Sequence, residues 1–410
     1  MSPHIPSVFT TLAVSALLVS YILYGAVTIP SGIEQADQMV WLFAKAKYTR
    51  ALCELGSYFG LGHRVELYRS VHQFLSPPTQ TNYKALQVSN ETFDGVSVRV
   101  YGPDRREGLV PGVILVHGGG WVFGSVDRVD QLATTFVRRL GVVVVSINYR
   151  LAPEHPYPVP FDDCLAATTF FLKNAADYGA DSGRVALLGV SAGANLAAAV
   201  SLKLSRRADE ASSPAALRPE LQVLIVPCLQ AVDFNTPSYQ ENEFDSFMPK
   251  YIMTSMWLWY ARGPDGHLLL DDVYTNEHTS AAAKQSVVSK YIDHALLGQH
   301  NIASAYVPND VNFGNETLWR ELQATFTDPY FAPLMAPDLA GVPETYIATA
   351  QHDVLRDDGI LFAKRLRAAG VDVKHAHYDK AFHGTWVLPE QLQTAKKMLN
   401  DVIDYLAVKL

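Results

Sequence analysis

A chain of 410 residues, 49% hydrophobic and 18% charged, carries enough apolar material for a large core, which excludes a disordered or low-complexity protein. The formal net charge of -8, with no long basic cluster, excludes a phosphate-rich partner, so no nucleic acid is expected. Three cysteines, Cys53, Cys164 and Cys228, are too few for a disulfide framework and allow one internal bridge at most.

The first 33 residues hold no Asp, Glu, Lys or Arg, and residues 8–29 are nearly all apolar, about the length of a bilayer-crossing helix. The expectation is a transmembrane signal-anchor over residues 1–30. A cleavable signal peptide would show a basic start and a shorter apolar core. Lys45, Lys47 and Arg50 follow the span, and the positive-inside rule would place that flank in the cytosol. Asn90-Glu91-Thr92 and Asn315-Glu316-Thr317 argue the other way, because such N-glycosylation acceptors are modified only in a secretory lumen.

Residues 31–78 show helical spacing of apolar residues, as in Leu52, Leu55, Tyr58 and Phe59, and predict cap helices that end at Pro77-Pro78. Residues 79–410 read as one catalytic domain. It opens with two alternating stretches, 83–88 and 96–101, that suit an antiparallel sheet edge. Continuous apolar runs follow at 113–116, 142–147, 185–188, 221–226, 345–349 and 371–378. Helical patterns lie at 128–140, 161–178, 192–206, 359–369 and 389–408. Strands apolar on both faces, alternating with helices, predict an α/β fold with a mostly parallel central sheet flanked by helices.

Between about residues 233 and 328 the strand signal lapses, which predicts a cap insertion at the C-terminal edge of the sheet, where loops carry ligand contacts. Trp257, Trp259 and Tyr260 either line a substrate pocket there or form the core of the insertion's own helix.

The chemistry is concentrated elsewhere. Gly189-Val190-Ser191-Ala192-Gly193 sits between a buried apolar run and a helical pattern, the context of a strand-turn-helix elbow that exposes a nucleophilic serine. Activating that serine takes a base and an orienting carboxylate, and the tetrahedral intermediate needs N–H donors at its oxyanion. His117-Gly118-Gly119-Gly120-Trp121 follows the first buried run, and its glycines let backbone N–H groups approach a substrate closely. Gly118, Gly119 and Ala192 are the candidate donors, while His117 is expected to brace the loop.

Asp353 stands just past the apolar run 346–350, where a strand ends and a loop begins, which suits the carboxylate. Asp357 and Asp358 precede a helical pattern and are expected to cap it. His383, in Lys380-Ala381-Phe382-His383-Gly384, lies downstream of both, giving the order Ser, Asp, His of an α/β-hydrolase. His352 is a lesser rival, and His375 and His377 read as structural strand residues. The histidines and acids do not fall at the spacing of a zinc helix, and no phosphate-binding loop is present, so neither metal nor cofactor is expected.

Taken with Asn148-Tyr149-Arg150-Leu151-Ala152-Pro153-Glu154 and 237–240, these motifs resemble the hormone-sensitive lipase family of α/β-hydrolases, and within it the arylacetamide deacetylase and neutral cholesterol ester hydrolase group. The resemblance implies a serine carboxylesterase acting on lipophilic esters or arylacetamides. It also implies a single N-terminal anchor in the endoplasmic reticulum with the catalytic domain in the lumen, resolving the orientation conflict in favour of the acceptors. The family's catalytic residues fall on Ser191, Asp353 and His383.

Four positions depart from it. The family usually has Asp before the nucleophile and a second Gly after the elbow, where this chain has Val190 and Ala194. Members can carry a pair of cysteines where Val122 and Ala350 stand here. The alternative function is a catalytically silent relative that binds a ligand or partner, which would be marked by a lost triad member. All three are present.

Overall fold

Eight strands among the described residues form one sheet in the order β1-β2-β4-β3-β5-β6-β7-β8. The computed structural model describes residues 27–75, 81–208, 217–244, 246–298 and 302–410. The strands are β1 (Leu86–Phe93), β2 (Val96–Pro103), β3 (Val110–Val116), β4 (Val143–Ile147), β5 (Ala180–Val190), β6 (Leu221–Ile225), β7 (Glu344–His352) and β8 (Val373–Phe382). β1 and β2 are antiparallel, β2 pairs antiparallel with β4, and the remaining six strands run parallel.

The edge hairpin corrects one sequence expectation. The first strand occupies Leu86–Phe93, three residues later than the 83–88 stretch. Its register is set by the two-residue loop Asp94-Gly95, with φ of 48° and 86°, which joins the paired residues Phe93 and Val96. Two consecutive left-handed residues are what a tight hairpin turn compatible with strand twist requires, and Asp-Gly is a favoured pair for it.

Inside the sheet, alternate residues face opposite layers. Ile114 and Val116 of β3 enter one buried cluster, and Val113 and Leu115 enter the other. That double burial explains why the parallel strands read as unbroken apolar runs. α1 (Ala36–Tyr58) and α2 (Arg64–Leu75) precede the sheet. α3 (Val126–Leu140) contributes Ala133, Phe136 and Val137 to the second cluster. α4 (Val159–Asn174) and α5 (Ala192–Ala208) contribute to the first. α4 stops at Asn174 and passes into a separate 3-10 turn over Ala175–Tyr178, so the helix expected to reach residue 178 ends early.

Between β6 and β7 no strand occurs among the described residues. The interval holds α6 (Pro237–Glu241), α7 (Lys250–Arg262), α8 (Leu270–Tyr274), α9 (Ala281–Lys284), α10 (Val287–Tyr291) and α11 (Glu316–Phe326). Asp233 ties this segment together: its carboxylate accepts hydrogen bonds from Asn276 (2.9 Å), Asn309 (2.6 Å) and the His294 ring (3.0 Å). α12 (Arg356–Ala368) and α13 (Gln393–Lys409) complete the fold.

The expected membrane span lies, up to residue 26, outside the described residues. Among the described residues no helix is long and apolar enough to cross a membrane. Cys53, Cys164 and Cys228 are buried free thiols.

Candidate active site

Four loops, at the C-terminal ends of β3, β5, β7 and β8, meet around Ser191. The serine lies between β5 and α5 with φ of 55°, a left-handed conformation costly for a residue with a Cβ. Its neighbours leave no alternative path. A Cβ on Gly189 would lie 2.1 Å from the Gly193 carbonyl oxygen, and one on Gly193 would lie 2.2 Å from that of Val116. The turn is held by the Ser191 N–H, which donates to the Ile225 carbonyl at 2.8 Å. Val190 packs against the second core cluster and Ala194 is fully buried, so both atypical elbow residues serve the interior.

The His383 ring reaches the serine directly. Ser191 Oγ lies 3.0 Å from His383 Nε2, and His383 Nδ1 lies 2.8 Å from Asp353 Oδ2. The other carboxylate oxygen of Asp353 accepts the Leu355 N–H at 3.0 Å, which fixes the carboxylate plane. All three side chains are buried, Asp353 almost completely. β7 ends at His352 and β8 at Phe382, so the sheet delivers Asp353 and His383 from adjacent strand ends.

The rivals go elsewhere. Asp357 and Asp358 do not cap α12, which begins at Arg356 rather than at residue 359. Asp357 accepts the Ser238 N–H (2.6 Å), and Asp358 accepts the Leu229 N–H (2.8 Å) and the Gln230 side-chain amide (3.1 Å). The two carboxylates therefore bind the root of the insertion to α12. Burial pushes the Asp358 carboxyl up to about 8. His352 is buried beside Gly32, and burial lowers its pKa. His375 and His377 both meet Thr349 Oγ1, at 2.8 and 2.9 Å, as structural residues of the sheet.

The glycine loop after β3 folds back on itself. Gly119 and Gly120 have φ of 126° and 60°, and a Cβ on Gly119 would lie 2.4 Å from the Phe123 carbonyl oxygen. Among the described residues, no acceptor is paired with the N–H of Gly118, Gly119 or Ala192. Gly118 stands against the elbow, where an added Cβ would lie 2.8 Å from the Val190 carbonyl oxygen and 3.4 Å from Ser191 Cβ.

His117 braces this loop. Its Nδ1–H donates to the Gly118 carbonyl (2.9 Å), and its ring stacks on Tyr149 with centroids 4.3 Å apart. Complete burial pushes the His117 ring down to about 4, so it stays neutral. Two supports are not legible in the sequence pattern alone. The Tyr149 hydroxyl donates to the His117 carbonyl (2.9 Å), and the Ala152 N–H donates to that of Trp121 (2.9 Å). Asn195 is a third: its buried amide donates to the carbonyls of Cys228 (3.0 Å) and Phe331 (2.8 Å), locking the start of α5 to the two segments that flank the insertion. Trp257 and Tyr260 pack on Trp121, the latter stacked at 4.4 Å, and Trp259 is buried on the same helix. They are core residues of α7 that wall the glycine loop.

A family model described as the alpha/beta hydrolase fold matches residues 113–288 and 298–387. The chain belongs to this family. Over 96% of its length it is 33% identical to neutral cholesterol ester hydrolase 1 of Mus musculus, covering 97% of that protein. Over 98% of its length it is 34% identical to arylacetamide deacetylase of Mus musculus, covering 99% of it. Among solved structures, a thermostable esterase from Pseudomonas putida superposes with a TM-score of 0.62 at 25% identity, over 93% of this chain and 99% of that one. The chain is therefore an enzyme of the α/β-hydrolase family.

Proposed function

We propose that this hydrolase cleaves lipophilic carboxylic esters or arylacetamides through an acyl-enzyme intermediate. The observation that carries the reading is the unbroken line from Ser191 Oγ through His383 to Asp353, at 3.0 and 2.8 Å. The hydroxyl proton passes to His383 Nε2 as Oγ attacks the carbonyl carbon. Asp353 holds the Nδ1–H tautomer and stabilises the imidazolium. The unpaired N–H groups of Gly118, Gly119 and Ala192 receive the oxyanion. Collapse expels the alcohol or amine, which takes the proton from His383. Water then attacks the acyl-serine with His383 as base, releasing the acid and restoring Ser191.

The names of the relatives support a substrate with an apolar acyl or alcohol part. The localisation we propose is the endoplasmic reticulum membrane, with residues 1–30 as a single span and the catalytic domain in the lumen. The uncharged run before Glu34 and the solvent-exposed acceptor residues Asn90 and Asn315 support it.

Purified Ser191→Ala assayed on short p-nitrophenyl esters tests the mechanism. Hydrolysis should fall by about five or six orders of magnitude, as for other triad nucleophiles. A mutant that retains full activity, or a wild-type enzyme unlabelled by a fluorophosphonate probe, refutes it.

A further inference from the structure

α1 buries one face and exposes another. Met39, Phe43, Ala44, Cys53 and Gly56 are buried. Trp41, Leu52, Leu55 and Phe59 recur at helical spacing along a different face, and with Tyr58 and Leu61 they are between 55% and 83% exposed. Lys45 is exposed on that same stripe. Of the helix's two acidic residues, Asp37 is exposed in the first turn on the stripe, and Glu54 lies off it and pairs with Arg64 at 2.9 Å. A helix apolar on its solvent side as well as its core side has no reason to stay in water.

What covers the stripe follows from the chain before it. The uncharged apolar run extends to Ile33, and α1 begins at Ala36. We propose that this face of α1, with the turn at Phe59–Leu61, lies in the interfacial layer of a lipid bilayer as a monotopic docking surface. Aromatic and leucine side chains would enter the headgroup–acyl boundary. The inference rests on the reading of residues 1–30 as a membrane anchor for its geometry, but it concerns a separate surface.

The same two helices border the candidate site. Phe43 of α1 packs on Phe382, the residue before His383, and Tyr68 of α2 packs on Phe123 behind the glycine loop, at 5.1 and 6.0 Å between ring centroids. Docking through α1 therefore leaves the thickness of one helix, about 10 Å, between the lipid surface and the loops that hold Ser191 and His383. An ester dissolved in the membrane would reach the site by lateral diffusion rather than through water.

The test uses the full chain in phosphatidylcholine vesicles, with a nitrobenzoxadiazole label on single introduced cysteines; the three native thiols are buried. Labels go on Leu55→Cys, on Tyr58→Cys as an independent probe, and on Leu109→Cys, an exposed position at the opposite end of the sheet. Doxyl-labelled lipid should quench positions 55 and 58 about threefold or more over position 109, as for side chains seated in the interface. Quenching at 55 and 58 no greater than at 109 overturns the proposal. So does a concentration-dependent blue shift there without quenching by lipid, which would mean a second copy covers the face. A fourth label, on Leu18→Cys, reports the anchor by itself, so quenching at 18 without quenching at 55 sinks the docking surface and leaves the anchor standing.

Discussion

Phe43 and Phe382 meet edge-on, with ring centroids 5.1 Å apart, and Phe247 lies against both at 5.8 and 5.4 Å. A residue of the first helix thus helps fix the strand end from which His383 projects, more than three hundred positions away in sequence. Ile33, Met39, Leu392 and Ala395 close the same small cluster, so the segment before the sheet is packed into the candidate site's foundation.

Phe43→Ala should therefore affect stability and catalysis together. Truncating a buried phenylalanine costs about 3–5 kcal/mol, read as a lower urea midpoint at unchanged slope. Because the cavity lies behind the His383 strand end, kcat on a soluble ester should fall more than KM rises. Phe43→Leu should restore most of both. A Phe43→Ala enzyme with wild-type kcat would show that the loop holds its position without this packing.

Gly119→Ala should keep the fold and lose rate. The new Cβ would meet the Phe123 carbonyl oxygen at 2.4 Å in a backbone conformation that alanine disfavours, so the loop must move. Misplacing one oxyanion donor costs about 10²–10³ in kcat. Steady-state kinetics beside circular dichroism separates this from unfolding, and an alanine variant with unchanged kcat would remove Gly119 from the donor set.

Two buried histidines make stability fall in mild acid. Burial holds both His117 and His278 down to about 4, against 6.5 in the unfolded chain. Between those values the unfolded state binds protons that the native state refuses, so unfolding free energy rises with pH across the window and is lost as pH falls from about 6.5 to about 4. Each histidine contributes a slope of roughly 1.4 kcal/mol per pH unit at most. The His278 Nε2–H donates to the Ala231 carbonyl at 2.9 Å, so His278→Gln should flatten the urea-midpoint profile between pH 6.5 and 4.5 by about one proton.

Asp358 works in the opposite direction. Its folded pKa of about 8 exceeds the ordinary aspartate value of 3.8, so its contribution is fully present below about 3.8 and is lost as pH rises through 8. Asp358→Asn should gain stability relative to wild type progressively across that window, measured as the difference in urea midpoints at pH 5 and pH 8.5. A difference that does not change with pH would mean the carboxyl is ionised in the fold throughout.

Asn315 tests the lumenal reading. It is exposed at the N-terminus of α11, where its Oδ1 accepts the Leu318 N–H at 3.0 Å and leaves the amide nitrogen available for a glycan. Thr317→Ala removes the acceptor signal with the cap intact, whereas Asn315→Ala would also cost about 0.5–2 kcal/mol of helix capping. Endoglycosidase should shift the wild-type protein on a gel, and Thr317→Ala should lose one increment of that shift. No shift, together with proteolysis of the catalytic domain in intact microsomes, would place the domain in the cytosol.

Much of the fold was legible because its strands are buried on both faces, which writes continuous apolar runs into the sequence. The 113–116, 142–147 and 221–226 runs agree with β3, β4 and β6 to within three residues at either end. Where half-exposed strands or helix ends were concerned, local pattern competed with tertiary contacts. β1 shifted because the Asp94-Gly95 turn sets its register, and α12 began early because Asp357 and Asp358 are held by Ser238, Leu229 and Gln230 rather than by the helix end.

By itself the sequence determined the chemistry on offer: a serine between obligatory glycines, a glycine loop after a buried strand, and an acid and a histidine after later strands. Those are local requirements, since a left-handed elbow and a close backbone approach each restrict residue type at one position. Which acid and which histidine face Ser191 is not local. Asp353 rather than Asp357 or Asp358, and His383 rather than His352, were decided by the parallel pairing of β5, β6, β7 and β8, which brings three strand ends within hydrogen-bond reach. Only the tertiary structure placed Phe43, Tyr149 and Asn195 behind that site, because their partners are distant in sequence and no spacing rule connects them.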